Sequence, residues 1–150
     1  MISFQEVSKY YTNRCALSNI TLEIPTGEML FITGHSGAGK TTLLKLIMLI
    51  EQCSQGQLFL DGQNLLRVKK RNIPLLRQDI GMVFQNPRLL ASRTIFDNVA
   101  LPLMIKGLQP REIKKRVRAA LDKVGLIKQE LLYPRALSLG EQQRVGIARA

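Results

Sequence analysis

The residues best suited to chemistry form one short glycine-rich segment, Gly34-His35-Ser36-Gly37-Ala38-Gly39-Lys40-Thr41. This segment matches the pattern G-x-x-x-x-G-K-[ST] at every fixed position. Its glycines let the backbone turn tightly, so that successive N–H groups can converge on one phosphate chain. Lys40 supplies a mobile positive charge for the outer phosphates, and the hydroxyl of Thr41 is a hard oxygen ligand for Mg²⁺. The pattern predicts that this segment, the phosphate loop, binds a nucleotide. The alternative is a plain turn between a strand and a helix.

The segments on either side of this loop support the same prediction. Met29–Thr33 is an apolar run that predicts a buried strand entering the loop, and Thr42–Ile50 has the pattern of a helix leaving it. Other short apolar runs predict further strands at Ile2–Val7, Ile20–Ile24, Gln57–Leu60 (closed by the turn pair Asp61-Gly62) and Ile80–Phe84.

The second half of the chain changes to a helical period. Thr94–Ile105 and Arg111–Val124 are predicted helices. The second helix places four apolar residues on one face and ends at Gly125, a suitable C-terminal cap residue; these are Ile113, Val117, Leu121 and Val124. The order predicts one α/β domain, with a β-rich phosphate-loop core over about residues 1–85 and a helical subdomain over about residues 86–140.

Composition narrows the class of protein. The chain has 150 residues, 45% apolar and 22% charged, which is ordinary for one soluble globular domain. Its start has no pattern of a signal peptide, and its longest apolar stretch is too short to cross a bilayer. Cys15 and Cys53 lack metal-ligand spacing and are interpreted as reduced cytosolic thiols, while the single His35 cannot build a metal site alone.

The formal charge of +11 allows two interpretations. An excess of this kind suits a nucleic-acid or anionic-membrane partner, but it equally suits a solvated basic face. The basic runs Arg67–Arg71 and Arg111–Arg118 contain no aromatic residue, which disfavours binding to single-stranded nucleic acid. A nucleic-acid partner is therefore not expected.

A second motif lies near the end of the sequence, Leu137-Ser138-Leu139-Gly140-Glu141-Gln142-Gln143-Arg144. Taken alone, Ser138 and Glu141 predict a capping box that starts a last helix through Arg149. Taken with the phosphate loop and with Gln85, the order and spacing resemble those of the ATP-binding-cassette (ABC) ATPases. The resemblance implies an α/β P-loop NTPase fold of the ABC-cassette type, with a mixed sheet, an antiparallel β subdomain and an α-helical subdomain.

The resemblance also assigns roles to individual residues. Tyr11 matches the aromatic residue that stacks on adenine, where a planar ring can hold a planar base; the alternative is an exposed aromatic at a strand end. Gln85 matches the catalytic-site glutamine that joins Mg²⁺ and the attacking water to the helical subdomain. The implied metal ligands are Thr41 and Gln85. The implied ATP-binding residues are Tyr11, Gly34, His35, Ser36, Gly37, Ala38, Gly39, Lys40, Thr41, Thr42, Ser138 and Gly140.

Within the family, the phosphate loop with His35 in second place and the runs Ile80–Gln85, Asp97–Leu103 and Gly140–Ala150 are most similar to the FtsE group of cell-division ATP-binding proteins. This similarity implies a cassette at the cytoplasmic face of the inner membrane, bound to an integral membrane partner of the FtsX type. It also implies a homodimer of cassettes in the complete protein. The family docks its membrane partner around Asn86–Leu103, although ordinary core is expected for most of the apolar residues there: Leu89, Leu90, Ile95, Leu101 and Leu103.

The sequence departs from the family pattern in three ways. No strand ending in Asp-Glu follows the second motif, which matches the signature of the family. The Walker B aspartate, the catalytic glutamate and the later switch histidine are therefore absent from these residues. The C-terminal part of the core is expected to be missing, as in a fragment or a decaying gene, with poor stability in isolation. Leu139 stands where the signature has glycine, and a side chain there can block a phosphate and forbids a positive φ at low cost. Leu49 replaces a glycine near the end of the loop helix and is expected to extend that helix.

Three other functions compete with an FtsE-like ATPase. A chain without these carboxylates could bind nucleotide without hydrolysing it, because phosphoryl transfer depends on placing the metal and the water. The cassette could instead belong to another ABC exporter, such as one for lipoprotein release. A phosphate-loop nucleic-acid protein would use the positive charge, but the motif around Ser138 disfavours it.

Overall fold

An antiparallel sheet organises the first part of the chain. The structure, a computed structural model, describes residues 1–150, which fall into two units, Met1–Leu75 and Leu76–Ala150. The sheet of the first unit has the strand order β2-β1-β3-β4, with β1 at Ile2–Tyr11, β2 at Arg14–Ile24, β3 at Gln55–Leu60 and β4 at Gln63–Asn64.

Three predicted strands are confirmed in this sheet, each longer than its apolar run. The turn between β3 and β4 is also confirmed, since Leu60 pairs with Gln63 around Asp61 and Gly62. Both turn residues have positive φ, 47° and 77°. Such a turn matches the right-handed twist of an antiparallel hairpin, which explains the Asp-Gly pair.

Two predicted strands, Met29–Thr33 and Ile80–Phe84, are wrong, because neither segment has regular secondary structure. Met29 and Phe31 are each 80% exposed. A strand is held by hydrogen bonds to a neighbouring strand, and the sheet of this chain contains only β1 to β4. These apolar runs find no ladder partner among the residues of this chain.

Helix α1 (Lys40–Ile47) follows the phosphate loop and ends earlier than predicted. Leu49 does not extend it: this residue has φ 50°, in the left-handed region. The amide of Ile50 donates to the carbonyl of Lys45 (2.9 Å) and that of Leu49 to the carbonyl of Leu46 (3.0 Å). This is the hydrogen-bond pattern of a Schellman motif, with Leu49 in the place that usually holds glycine.

The core of the first unit packs α1 with the sheet. Its members are apolar and at most 8% exposed, and they come from α1, from the strands and from the 3-10 turn that follows β4: Phe4, Val7, Leu17, Leu43, Leu46, Ile47, Leu58 and Leu65. Burial of this helix face fixes the start of α1 relative to the sheet, and with it the end of the phosphate loop.

Helices build the second unit. A short helix α2 (Ile73–Gln78) lies at the division between the units, followed by α3 (Ile95–Ile105), α4 (Pro110–Lys123) and α5 (Leu139–Arg149). The last three helices confirm the predictions, and Gly125 follows α4 with φ 71°. The buried cluster that joins them is Ile95, Val99, Ala100, Ile113, Val117, Leu121, Leu126, Leu137 and Val145.

None of these helices combines the length and the apolar content that crossing a membrane requires.

Replacing Leu49 by glycine or by alanine tests its left-handed backbone. Both changes remove most of the same buried side chain, but only glycine takes φ near 50° without a steric penalty. We expect Leu49→Gly to be more stable than Leu49→Ala by about 1 kcal/mol in urea unfolding. At Leu44, inside α1, the alanine variant should instead be the more stable by about 1 kcal/mol. If the same variant, glycine or alanine, were the more stable at both residue 49 and residue 44, the left-handed backbone of Leu49 would be contradicted.

Candidate functional site

The phosphate loop contains three glycines with positive φ. Gly34, Gly37 and Gly39 have φ values of 147°, 85° and 92°. At Gly39 the space is also restricted, because a Cβ atom there would lie 2.4 Å from the carbonyl oxygen of Ala16. Glycine is therefore required at residue 39 both by its backbone angle and by its contact with β2.

The first turn of α1 is open to an anion. Gly39 is its N-cap, and no side chain caps the helix. The first N–H groups of a helix have no acceptor within the helix, and they lie at the positive end of its dipole. These groups can bind a phosphate oxygen directly.

The side chain of Lys40 folds back onto the loop that precedes it. Its Nζ donates to the carbonyl oxygens of Gly34 (2.6 Å) and His35 (2.9 Å). The Nδ1 of His35 lies 2.8 Å from the carbonyl oxygen of Ser36, so the ring folds back on its own loop. With the exception of Gly39 and Lys40, the residues from Gly34 to Thr41 are exposed. The loop is consequently a folded, accessible cradle that holds one ammonium group.

No carboxylate neutralises this cradle. The ion pairs of the first unit join Asp61 to the chain's amino terminus (2.5 Å) and Glu51 to Lys9 (3.1 Å). Lys40 has only carbonyl oxygens as partners. An uncompensated ammonium group beside open N–H groups fits a polyphosphate and does not fit a cation.

Tyr11 lies at the end of β1 and is 38% exposed. The Nζ of Lys9 lies 5.1 Å from the centre of its ring, within the range of a cation–π contact. The hairpin that carries Tyr11 reaches the phosphate loop, because the guanidinium of Arg14 donates to the carbonyl oxygen of Gly37. Nothing in the motif pattern pointed to Arg14, which sequence reasoning missed.

Gln85 lies in the second unit, next to α5. The side-chain amide of Gln143 donates to the backbone carbonyl of Gln85. The guanidinium of Arg149 donates to the carbonyl oxygens of Pro87 and of Arg88, the latter at 3.2 Å. The segment that follows Ile80–Phe84 is therefore held by the helix that begins in the signature.

Asn98 is a second residue that sequence reasoning missed. It is fully buried, and its Oδ1 accepts from the amide of Leu90 at 2.7 Å. Its Nδ2 lies within 3.2 Å of the carbonyl oxygens of Leu90, Arg93 and Thr94. A single side chain thus satisfies the backbone of the loop before α3.

The apolar residues around this loop are mainly core, as expected. Ile95 is fully buried, and Leu89 and Leu103 pack against the buried cluster of the second unit. Leu90 is 43% exposed, and Leu101 is half-buried outside this cluster.

The signature residues form the start of α5. Ser138 is the N-cap, and its Oγ accepts from the amide of Glu141 (3.3 Å) and donates to Oε2 of the same residue (2.7 Å). The predicted capping box is confirmed. Leu139 is 81% exposed and has a helical backbone, so this structure requires no positive φ there. Its exposed side chain belongs to the first turn of α5.

The structure assembles the predicted site residues in two groups. Tyr11 and the loop Gly34–Thr42 belong to the first unit, whereas Gln85, Ser138 and Gly140 belong to the second. The two residues implied as Mg²⁺ ligands, Thr41 and Gln85, are divided between the units. No group of three or more His, Cys, Asp or Glu side chains could hold a metal. In the first unit, Thr41 supplies one exposed hard oxygen, which fits an ion whose other ligands are phosphate oxygens.

Comparisons with curated proteins give one family. A family model described as ABC transporter matches residues 17–150. The cell division ATP-binding protein FtsE of Escherichia coli (strain K12) is 54% identical over 151 residues, covering 100% of this chain and 68% of that protein. FtsE of Haemophilus influenzae is 49% identical over 152 residues, with coverages of 100% and 70%. The methionine import ATP-binding protein MetN of Helicobacter hepaticus is 44% identical, and 43% of its length is covered.

Solved structures give the same result. The ATP-binding cassette MJ0796, a dimer in a post-hydrolysis state bound to ADP and Pi, matches with a TM-score of 0.93 and 34% identity, covering 99% of this chain and 68% of that one. CbiO1 of Clostridium perfringens, part of an ABC transporter complex, matches with a TM-score of 0.85 and 30% identity, with coverages of 99% and 59%. These matches confirm the predicted fold class.

The capping box of α5 predicts a specific pH dependence. The hydroxyl and the amide of Ser138 donate to Glu141, which holds the pKa of this carboxyl below its usual range. The box therefore stabilises the fold fully above the unfolded-state pKa of about 4.3, and this contribution is lost as the pH falls through the lower folded-state pKa.

Urea unfolding of the wild type and of Glu141→Gln, measured from pH 6 to pH 3, checks this dependence. Glutamine keeps an acceptor for Ser138 but does not titrate as an acid. The advantage of the wild type over the variant should shrink as the pH falls. A stability difference that stays constant over this range would show that Glu141 has no such linkage.

Proposed function

Because this chain belongs to the ABC transporter family of ATP-binding proteins, we propose that it binds ATP through Gly34–Thr42 as the nucleotide-binding subunit of a cell-division complex. One observation supports this most strongly. The helix that follows the loop has no side-chain cap, and the ammonium group of Lys40 is held beside it by two carbonyl oxygens only. Both features suit an anion with several phosphates.

Each nucleotide-binding residue has a distinct task in this proposal. Open loop amides between Gly34 and Thr42 bind the phosphates, Lys40 neutralises the outer ones, and Tyr11 stacks on the adenine ring. Thr41 and Gln85 would hold Mg²⁺. When bound, this ion would offset the negative charge of the phosphates.

The proposed cellular role rests on the relatives compared above. Two of them carry the name cell division ATP-binding protein FtsE, and each aligns with the whole of this chain. We infer the same process here, at the cytoplasmic face of the inner membrane and through an integral membrane subunit of the FtsX type.

Dimerisation belongs to the same proposal. The cassette MJ0796 was solved as a dimer. In a corresponding pair of this protein, Ser138 and Gly140 would face the nucleotide of the partner copy. The exposed side chain of Leu139 lies between these two residues, so it is expected to hinder a close approach of phosphate to the start of α5.

A second candidate is nucleotide binding without hydrolysis by these 150 residues. The observation that favours it is chemical: no Asp-Glu pair follows the signature within them. Hydrolysis needs groups that place the metal and the attacking water, and Gln85 alone does not supply both. The two candidates differ only in turnover, not in binding.

Equilibrium binding of a fluorescent ATP analogue tests the proposed site. Lys40→Ala should weaken binding by at least about tenfold, because hydrogen bonds from a charged donor to phosphate are lost. Lys70→Ala removes an equal charge from an exposed position of the same unit and should leave the affinity nearly unchanged. Equal affinities of the Lys40→Ala variant and the wild type would contradict the proposed site.

Phosphate release by the same 150-residue chain separates the two candidates. Binding without turnover predicts a rate for the wild type that equals that of Lys40→Ala. A wild-type rate clearly above that of the variant would overturn the non-hydrolysing candidate and support an ATPase.

A further inference from the structure

Arg14 connects the hairpin of Tyr11 to the phosphate loop. It is the first residue of β2 and lies opposite Tyr11 in the register of β1 and β2. Its guanidinium donates to the carbonyl oxygen of Gly37. The approach is close, since a Cβ atom on Gly37 would lie 2.8 Å from Nη2 of Arg14. The absence of a side chain at residue 37 is what leaves room for this contact.

Arg14 is also a cation without a carboxylate partner. It is exposed, and it takes part in none of the ion pairs of the first unit. A guanidinium has five N–H donors, of which the contact to Gly37 uses few. Lys40 is in the same condition, with carbonyl oxygens of the same loop as its only partners. Two cations therefore contact the same glycine-rich loop, and neither is paired with a carboxylate.

We propose that Arg14 is a second phosphate-binding cation of this site and that it distinguishes nucleotides by the length of their phosphate chain. A guanidinium matches phosphate oxygens in a forked, charge-assisted geometry, which is stronger than its bond to a neutral carbonyl. A bound polyphosphate would draw Arg14 away from Gly37. The interaction grows with the number of charged phosphates, from AMP through ADP to ATP. This inference rests on the proposed nucleotide site.

Two substitutions separate this role from a merely structural one. Arg14→Gln keeps an N–H donor for the carbonyl of Gly37 but removes the charge, whereas Arg14→Lys keeps the charge and loses the fork. We expect Arg14→Gln to weaken binding of a fluorescent ATP analogue by about tenfold, with a smaller loss for the ADP analogue and almost none for AMP. Arg14→Lys should bind the ATP analogue more tightly than Arg14→Gln does. The affinity of Arg14→Gln for this analogue should also depend less on salt concentration than that of the wild type.

Arg67→Gln is the matched control, since it removes an exposed guanidinium from the same unit outside the phosphate loop. It should leave all three affinities nearly unchanged. A similar loss in both Arg14 variants, or the same loss for AMP as for ATP, overturns the proposal in favour of a structural contact to Gly37. So does an unchanged ATP affinity in Arg14→Gln. If the wild type binds none of the three nucleotides, both the proposed site and the role of Arg14 are wrong.

Discussion

The close approach of Gly39 to β2 is the constraint on which the candidate site depends. A Cβ atom at this residue would meet the carbonyl oxygen of Ala16 at 2.4 Å and a methyl group of Leu17 at 2.8 Å. The left-handed backbone of Gly39 starts α1 at this contact, and the buried face of α1 keeps it there. The loop is thus fixed at one end by packing, while its residues before Gly39 stay exposed to a ligand.

Helices α1 and α5, which begin in the two motifs, differ in what binds the backbone N–H groups of their first turns. Helix α1 has no side-chain cap, so its N–H groups are open to phosphate. Helix α5 uses Ser138 and Glu141 as a reciprocal cap, and the hydroxyl of Ser138 is engaged with its own helix. A phosphate at α5 would therefore have to compete with Glu141. The two motifs are not equivalent anion sites in a single copy of the chain.

Local chemistry made much of the structure predictable. The Asp61-Gly62 turn, the capping box and the apolar face of α4 each depend on neighbouring residues, and all three are confirmed. Met29–Thr33 and Ile80–Phe84 were mispredicted because a strand needs hydrogen-bonded partners elsewhere in the chain, which a local pattern does not contain. Leu49 was mispredicted because packing and the Schellman hydrogen bonds override its helix propensity. The contacts of Arg14 and Asn98 have no motif, so only the structure identified them. The roles of the site residues and a subdomain division near residue 85 remain predictions.

Amide hydrogen exchange with and without Mg²⁺ and ATP tests the central claim, that the phosphate loop and the open turn of α1 form the nucleotide site. Exchange reports on each backbone N–H group, and these are the groups to which the binding is assigned. We predict that saturating ATP slows exchange across residues 34–42 and that Lys40→Ala removes this protection. Unchanged exchange in residues 34–42 at saturating ATP would contradict the claim.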